Sequence, residues 1–150
     1  MNEPQVQRIC VPTDFSERGD AAVQYGATLA RKFGAALHII HVIHDVSEKL
    51  RHPDFTSQDT SVHQFLGALE KGATEYLARL TAQKEWADLT VERVHLYGDP
   101  VTEICRYAEQ NKIDMLIVGT HGRTGLTHLL MGSVAERVVR GAKCPVLVVR

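Results

Sequence analysis

Apolar residues follow two alternating rhythms along this chain, one of period two and one near 3.6. Residues 8 to 12 (RICVP) make a short apolar run closed by Pro12. Thr13, Asp14 and Ser16, polar or turn-forming, follow around Phe15, so the run predicts a buried strand feeding a loop. Beyond Ser16, a natural N-cap, small or apolar residues recur at Ala22, Tyr25, Gly26, Leu29, Ala30 and Phe33, the spacing of one helix face, and Gly34 supplies the stop. Residues 36 to 43 (ALHIIHVI) are apolar on both alternating sides, as in a central strand covered by helices on both faces. Residues 44 to 60 are polar, contain Pro53 and hold no period; they read as one long loop, a binding segment or a plain connector. A second helix carries Phe65, Leu66, Leu69, Ala73, Tyr76, Leu77 and Leu80 on one face, and residues 89 to 96 (LTVERVHL) alternate as a strand nearer a sheet edge should.

Gly98, Asp99 and Pro100 then punctuate the chain. Asp99 as N-cap with Pro100 at the first helical position starts a third helix, whose apolar face holds Val101, Ile104, Cys105 and Ala108. Residues 114 to 118 (DMLIV) are a fourth strand, and the glycine-rich stretch GTHGRTGLTHLLMGS, residues 119 to 133, leads into a fourth helix with Val134, Ala135, Val138 and Val139, closed by Gly141. The last strand is PVLVV, residues 145 to 149. Every strand after the first is reached through a helix, which forces parallel pairing and right-handed crossovers. The expected fold is α/β: an open five-stranded parallel sheet with helices on both faces, Rossmann-like in plan. In such sheets ligands bind beyond the carboxyl ends of the strands, where strand order reverses, which points to the residues after strands one, two and four.

Composition narrows the class. At 150 residues, with 44% hydrophobic and 23% charged positions, residues 1–150 read as one globular domain rather than a disordered or fibrous chain. Seventeen Lys and Arg against eighteen Asp and Glu leave a formal charge of −1, without the basic excess of a dedicated nucleic-acid binder. Cys10, Cys105 and Cys144 are odd in number and sit in apolar stretches, so they read as reduced core thiols. Met1 to Arg8 lack an apolar h-region and no apolar run reaches the length of a membrane span, so the expected location is the cytoplasm, away from membranes.

Gly119, Gly122 and Gly125 follow the fourth strand at intervals of three, and Gly132-Ser133 opens the next helix. Glycine there allows successive amide N–H groups to face one concavity, and a helix N-terminus adds unpaired donors and about half a positive charge. Residues 119 to 133 hold His121, Arg123 and His128 but no Asp or Glu, so an anion would meet donors without repulsion. The alternative is that the glycines only turn the chain and that Ser133 with Glu136 forms a capping box. A P-loop would need Lys before Ser133, and a dinucleotide fingerprint would need glycines where Pro12, Thr13 and Asp14 stand; neither motif is present. His38, His41 and His44 recur every three residues, but on a strand this puts His41 on the face opposite the other two, so no metal site is expected.

Gly119, Thr120, His121 and Gly122, nine further residues, then Gly132 and Ser133 resemble the G-x2-G-x9-G-[S/T] loop of the universal stress protein family, in its ATP-binding branch. Residues 11 to 16 (VPTDFS), 98 to 100 (GDP) and 144 to 149 (CPVLVV) add landmarks in order, so the likeness spans nearly the whole chain. The resemblance implies an adenine-nucleotide-hydrolase-like sheet of strand order 3-2-1-4-5. It also implies ATP, with or without Mg2+, at its carboxyl edge. Asp14, beside Pro12 and Thr13, matches the carboxylate near the adenosine, and Val42 the position whose backbone addresses the adenine; on chemistry alone Asp14 could be a plain turn carboxylate. Gly119 and Gly122 look like the ribose and phosphate turn, Gly132, Ser133 and Val134 lie at the distal phosphates, and Thr120, His121 and Arg123 contribute side chains or amides. The resemblance further implies a homodimer through residues 145 to 149, against which stands a covered edge in a monomer. The expected function is a cytoplasmic, nucleotide-dependent stress-response sensor or adaptor; the alternatives are a slow ATPase and a nucleotide-independent dimeric scaffold. Asp14 is the only acid that can be placed near the site, so no dedicated catalysis is expected.

Overall fold

The structure, a computed structural model, describes residues 3–44, 60–120 and 131–150. In chain order the elements are β1 (Arg8–Pro12), α1 (Glu17–Phe33), β2 (Ala36–His44), α2 (Thr60–Leu80), a 3-10 turn (Lys84–Trp86), β3 (Val91–Gly98), α3 (Pro100–Gln110), β4 (Met115–Gly119), α4 (Ser133–Gly141) and β5 (Val146–Val149). The five strands form one parallel sheet of order β3-β2-β1-β4-β5, the order expected above. The apolar alternation of the strands splits the core into two layers. Ile9, Val11, Leu37, Ile39 and Ile117 meet α1, Leu77 of α2 and Trp86 on one face. Cys10, Ile40, Leu116 and Val118 meet Ile104 and Ala108 of α3 and Ala135 and Val138 of α4 on the other.

The caps predicted for two helices form as expected. The Ser16 hydroxyl accepts from the Gly19 amide at 3.1 Å, and the Asp99 carboxylate from the Thr102 amide at 3.0 Å. β3 starts two residues later than the alternation suggests, because Leu89 closes the unpredicted 3-10 turn by donating its amide to the Trp86 carbonyl at 3.1 Å. The predicted loop of residues 44 to 60 lies outside the described residues except for its ends, His44 in β2 and Thr60 in α2.

The buried side of α1 keeps Ala22, Gly26 and Ala30 of the predicted face and departs from it at the aromatic positions. It is made of Gly19, Ala22, Val23, Gly26, Ala27 and Ala30, while Tyr25 and Phe33 are 56% and 48% exposed. The reason is distance: a Cβ on Gly26 would sit 2.5 Å from Val11 Cγ2 and 3.2 Å from Leu37 Cδ1. A helix this close to its sheet accepts only small residues against it, and its aromatic residues turn outward. On α2, Ala73 and Leu77 are buried, whereas Phe65 and Leu69 of the predicted apolar face are exposed.

All three cysteines are free; Cys10 is fully buried and Cys105 and Cys144 are half-buried. Burial pushes all three thiols up, so they stay protonated near neutral pH and are poor nucleophiles. Among the described residues no helix is long and apolar enough to cross a membrane.

Substituting alanine for a helix-interior glycine ordinarily stabilises by about 1 kcal/mol. At Gly26 the added methyl has no room, and overpacking of about 1–3 kcal/mol outweighs that gain. Gly26→Ala is expected to lower the urea midpoint. Gly72→Ala, where an added Cβ meets nothing within 4 Å, is expected to raise it.

Candidate functional site

The sheet opens at its carboxyl edge between β1 and β4. β1 pairs with β2 from Arg8↔Ala36 to Pro12↔Ile40, and Thr13 extends the contact by donating its amide to the Ile40 carbonyl at 2.9 Å. With β4 its register holds only Ile9↔Met115 and Cys10↔Leu116; further on β4 follows β5 to Gly119↔Val149, and Thr120 donates to the Val149 carbonyl at 2.8 Å. Strand order reverses at this splay. The first turn of α1 stands against it: a Cβ on Gly119 would lie 3.2 Å from the Arg18 carbonyl oxygen. Gly119 therefore has a packing role besides any role toward a ligand.

The turn after β1 is held by its own side chains. Thr13 Oγ1 accepts from the Phe15 amide at 3.1 Å, and Asp14 Oδ1 accepts from the amide and the hydroxyl of Ser16 at 3.0 and 2.5 Å. Asp14 thus has the turn role that its chemistry allows. The turn lies so close to α1 that a Cβ on Gly19 would be 2.8 Å from Thr13 Oγ1 and 2.9 Å from Asp14 Oδ1. Phe15 has φ 66°, the left-handed region, and its ring lies between His41 at 3.9 Å and Tyr76 at 4.2 Å, centroid to centroid. His41 Nδ1 is 2.8 Å from the Thr13 carbonyl oxygen; a carbonyl only accepts, so Nδ1 carries the proton. The Tyr76 hydroxyl donates to Asp20 Oδ2 at 2.5 Å, and burial, with this bond, pushes the phenol up to about 12. Asp20 Oδ1 is buried with no hydrogen-bond partner among the described residues.

β2 runs on past the last β1 pairing, so His41 to His44 pair with β3. Val42 sits there opposite Leu96, half-buried against the α3 and α4 layer. His38 is buried on that same face, with Nδ1 2.8 Å from the Tyr107 hydroxyl of α3, and burial lowers its pKa. His41 faces α1 and α2 instead, so the alternation separates these histidines as their spacing predicts. At the end of β3, the Thr102 amide and hydroxyl hold the Asp99 carboxyl below the usual carboxylate range, helped by the charges of Arg137 and His44. Arg137 of α4 lies 3.9 Å from Asp99.

Of the glycine-rich segment, the two ends are described, and the Gly132 amide donates to the Thr120 carbonyl at 2.5 Å, joining them. The start of α4 is thereby held beside the end of β4. His121, Gly122 and Arg123, with Gly125 and His128, lie outside the described residues. The capping box considered for Ser133 and Glu136 does not form. Gly132 is the N-cap and Ser133 the first helical residue, while Glu136 pairs with Arg140 at 2.9 Å. The bond to Thr120 fixes Gly132 in extended backbone (φ −60°, ψ 152°), which makes it the cap. Ser133 and Val134 are exposed in the first turn, whose amides are the unpaired donors of any helix start.

Pro12, Thr13, Asp14, Val42, Gly119, Thr120, Gly132, Ser133 and Val134 all fall on this carboxyl edge. Sequence reasoning gave Phe15, Gly19, His41 and Tyr76 no part in the site: Phe15 fell in the landmark of residues 11 to 16, His41 was weighed only as a metal ligand and Tyr76 only as part of a helix face.

A family model described as the universal stress protein family matches residues 5–150. Universal stress protein MJ0531 of Methanocaldococcus jannaschii is 35% identical over 144 residues, covering 96% of this chain and 82% of that one. Universal stress protein MJ0577 of the same organism is 30% identical over 155 residues, covering 96% and 94%. The solved structure of MJ0577 superposes with a TM-score of 0.81 at 29% identity, over 97% of this chain and 96% of that chain. A universal stress protein solved in complex with cAMP superposes with a TM-score of 0.66 at 25% identity, over 97% and 98%.

Tyr107, like Tyr76, is pushed up to about 12, chiefly by burial. Both phenols ionise later in the folded chain than in the unfolded one, where tyrosine titrates near ~10. The stability linked to them is therefore complete below about pH 10 and is lost as pH rises through about 12. Ultraviolet titration of the native protein should show ionisations near 12 that disappear one each in Tyr76→Phe and Tyr107→Phe.

Proposed function

The chain belongs to the universal stress protein family, and from that premise we propose that it is a cytoplasmic member that binds ATP at the carboxyl edge of its sheet and acts as a nucleotide-dependent stress-response sensor or adaptor. The observation that carries this reading is the join between Thr120 and Gly132, which holds the start of α4 beside the end of β4 around a segment with no acidic residue. Phosphates take the donors there: the first amides of α4, the Ser133 hydroxyl and those of Gly119, Thr120, His121, Gly122 and Arg123. The acidic residues at this edge are Asp14, Glu17 and Asp20 around the start of α1, Asp99 at the start of α3, and, in the first turn of α4, Glu136, which is paired with Arg140. A carboxylate accepts from ribose hydroxyls and repels phosphate. The edge therefore orients a nucleotide with adenosine toward Pro12, Thr13, Asp14 and Val42 and its phosphates toward Ser133 and Val134.

The relative solved with cAMP supports adenine nucleotides as the ligand class. Any Mg2+ would come with the nucleotide, whose phosphates bind it in solution. β5 is an edge strand with Leu147 37% exposed, which supports pairing with a second copy through residues 145 to 149.

Calorimetric titration of ligand-stripped protein is expected to give one ATP per chain, with affinity falling through ADP to AMP. At ~100 times its dissociation constant the ligand should add about 2.7 kcal/mol of stability by thermal melting. Gly132→Val should weaken ATP by about tenfold, ~1.4 kcal/mol, and AMP far less. Unchanged ATP affinity in that variant would remove the cradle from the reading.

A further inference from the structure

The nucleotide reading gives no role to the aromatic sandwich under the turn after β1. Phe15 keeps a backbone conformation that any residue with a Cβ disfavours, φ 66°. Glycine would adopt it freely; what glycine lacks is the ring. That ring is held from both sides by different elements, His41 of β2 stacked at 19° and Tyr76 of α2 tilted at 34°. Each jaw is itself tied down. His41 donates to the Thr13 carbonyl at 2.8 Å, and Tyr76 donates to Asp20 of α1 at 2.5 Å. With Asp20 Oδ1 buried and unpartnered among the described residues, the bond from Tyr76 is the one that satisfies this carboxylate there.

The sequence order makes the arrangement informative. Asp14 lies between two anchored neighbours: the carbonyl before it is held by the His41 ring, and the side chain after it is stacked on that same ring. Rotating either peptide flanking Asp14 breaks one of those contacts. Strained backbone persists only where its surroundings over-determine it, and here they do so around Asp14, the carboxylate that the nucleotide reading assigns to the adenosine.

We propose that Phe15, clamped between His41 and Tyr76, is a positioning residue that sets Asp14 toward the adenosine, and that Tyr76 makes helix α2 part of the nucleotide site. The inference rests on the adenine-nucleotide reading and adds to it an element, α2, which packs beside α1 on the same face of the sheet. Because the clamp acts at the adenosine end, its loss weakens every adenine nucleotide by the same factor, unlike loss of the phosphate cradle.

The test is calorimetric titration of ATP and AMP into the wild type, Phe15→Gly, Tyr76→Phe, Tyr76→Leu and Gly132→Val, each first shown to be folded by its melting transition. Phe15→Gly, which relieves the backbone while deleting the ring, is expected to lose about tenfold in affinity for ATP and AMP alike. Tyr76→Phe and Tyr76→Leu both lose the bond to Asp20, and only the second loses the stack. Tyr76→Phe should therefore bind within about twofold of wild type while Tyr76→Leu loses about fivefold or more. A role in stability alone would lower the melting temperature of both and leave their affinities equal. Wild-type affinity in Phe15→Gly and Tyr76→Leu, with ATP binding weakened in Gly132→Val, would overturn the positioning role and leave the nucleotide reading standing. Should Phe15→Gly fail to fold, the Tyr76 pair decides alone. A wild-type protein that binds neither nucleotide would overturn both.

Discussion

The carboxyl edge depends on how closely α1 lies against the sheet. Gly26 brings the helix to within a methyl's width of Val11 and Leu37, Gly119 lets the Arg18 carbonyl approach β4, and Gly19 lets the first turn approach Thr13 and Asp14. These contacts run from the middle of the helix to its start, and they come from both partners, helix and strand. A bulkier residue at any one would tilt or lift α1, because packed interiors do not yield by fractions of an ångström without cost. What the close seat fixes is the place of the helix's first turn, at the splay between β1 and β4.

From that placement follows the polarity of the edge. The starts of α1 and α4 lie at the same end of the sheet, and each presents unpaired amides. Around α1 those amides are spoken for in part: the Ser16 hydroxyl takes the Gly19 amide, and Glu17 and Asp20 add negative charge. At α4 the N-cap is glycine with no side chain to accept, and Glu136 is engaged by Arg140. Two helix starts with the same backbone field therefore differ as anion sites through their side chains. A ligand with one neutral, donor-bearing end and one anionic end has a single favourable orientation there.

Much of this was legible in the sequence, and the misses share a cause. Parallel pairing and right-handed connection follow from βαβ alternation, the strand order came with the family resemblance, and the ends of α1 and the start of α3 were marked by Ser16, Gly34, Asp99 and Pro100, whose effects are local. The side of α1 that is buried was legible only in part, through Ala22, Gly26 and Ala30. Periodicity finds an apolar stripe by hydrophobicity, which ranks Tyr25 and Phe33 above Gly26 and Ala27; close packing reverses that ranking. The cap of α4 was ambiguous for a similar reason, since Ser133 and Glu136 satisfy a local pattern that the bond from Gly132 to Thr120 overrides. Asp14 could be placed at the carboxyl edge because it follows the first strand, and the family resemblance supplied its expected role. Phe15, His41 and Tyr76 could not be associated, because they meet only once α1, α2 and β2 have packed.

The two sides of the crevice reach rigidity by opposite means. On the β4 side the positions that matter, Gly119 and Gly132, carry no side chain, and their backbone is held by main-chain bonds to Val149 through Thr120 and to Thr120 itself. A backbone held this way leaves room for a ligand to approach its amides, which suits recognition of phosphate, an acceptor without fine shape. On the β1 side the backbone is held in an unfavourable conformation by rings and a carboxylate, Phe15 against His41 and Tyr76, and Tyr76 against Asp20. Side chains supply there what amides cannot, an acceptor, and in the proposed site that acceptor has to be oriented. On that proposal the strain at Phe15 is the cost of the orientation, and the packing of α2 sustains it.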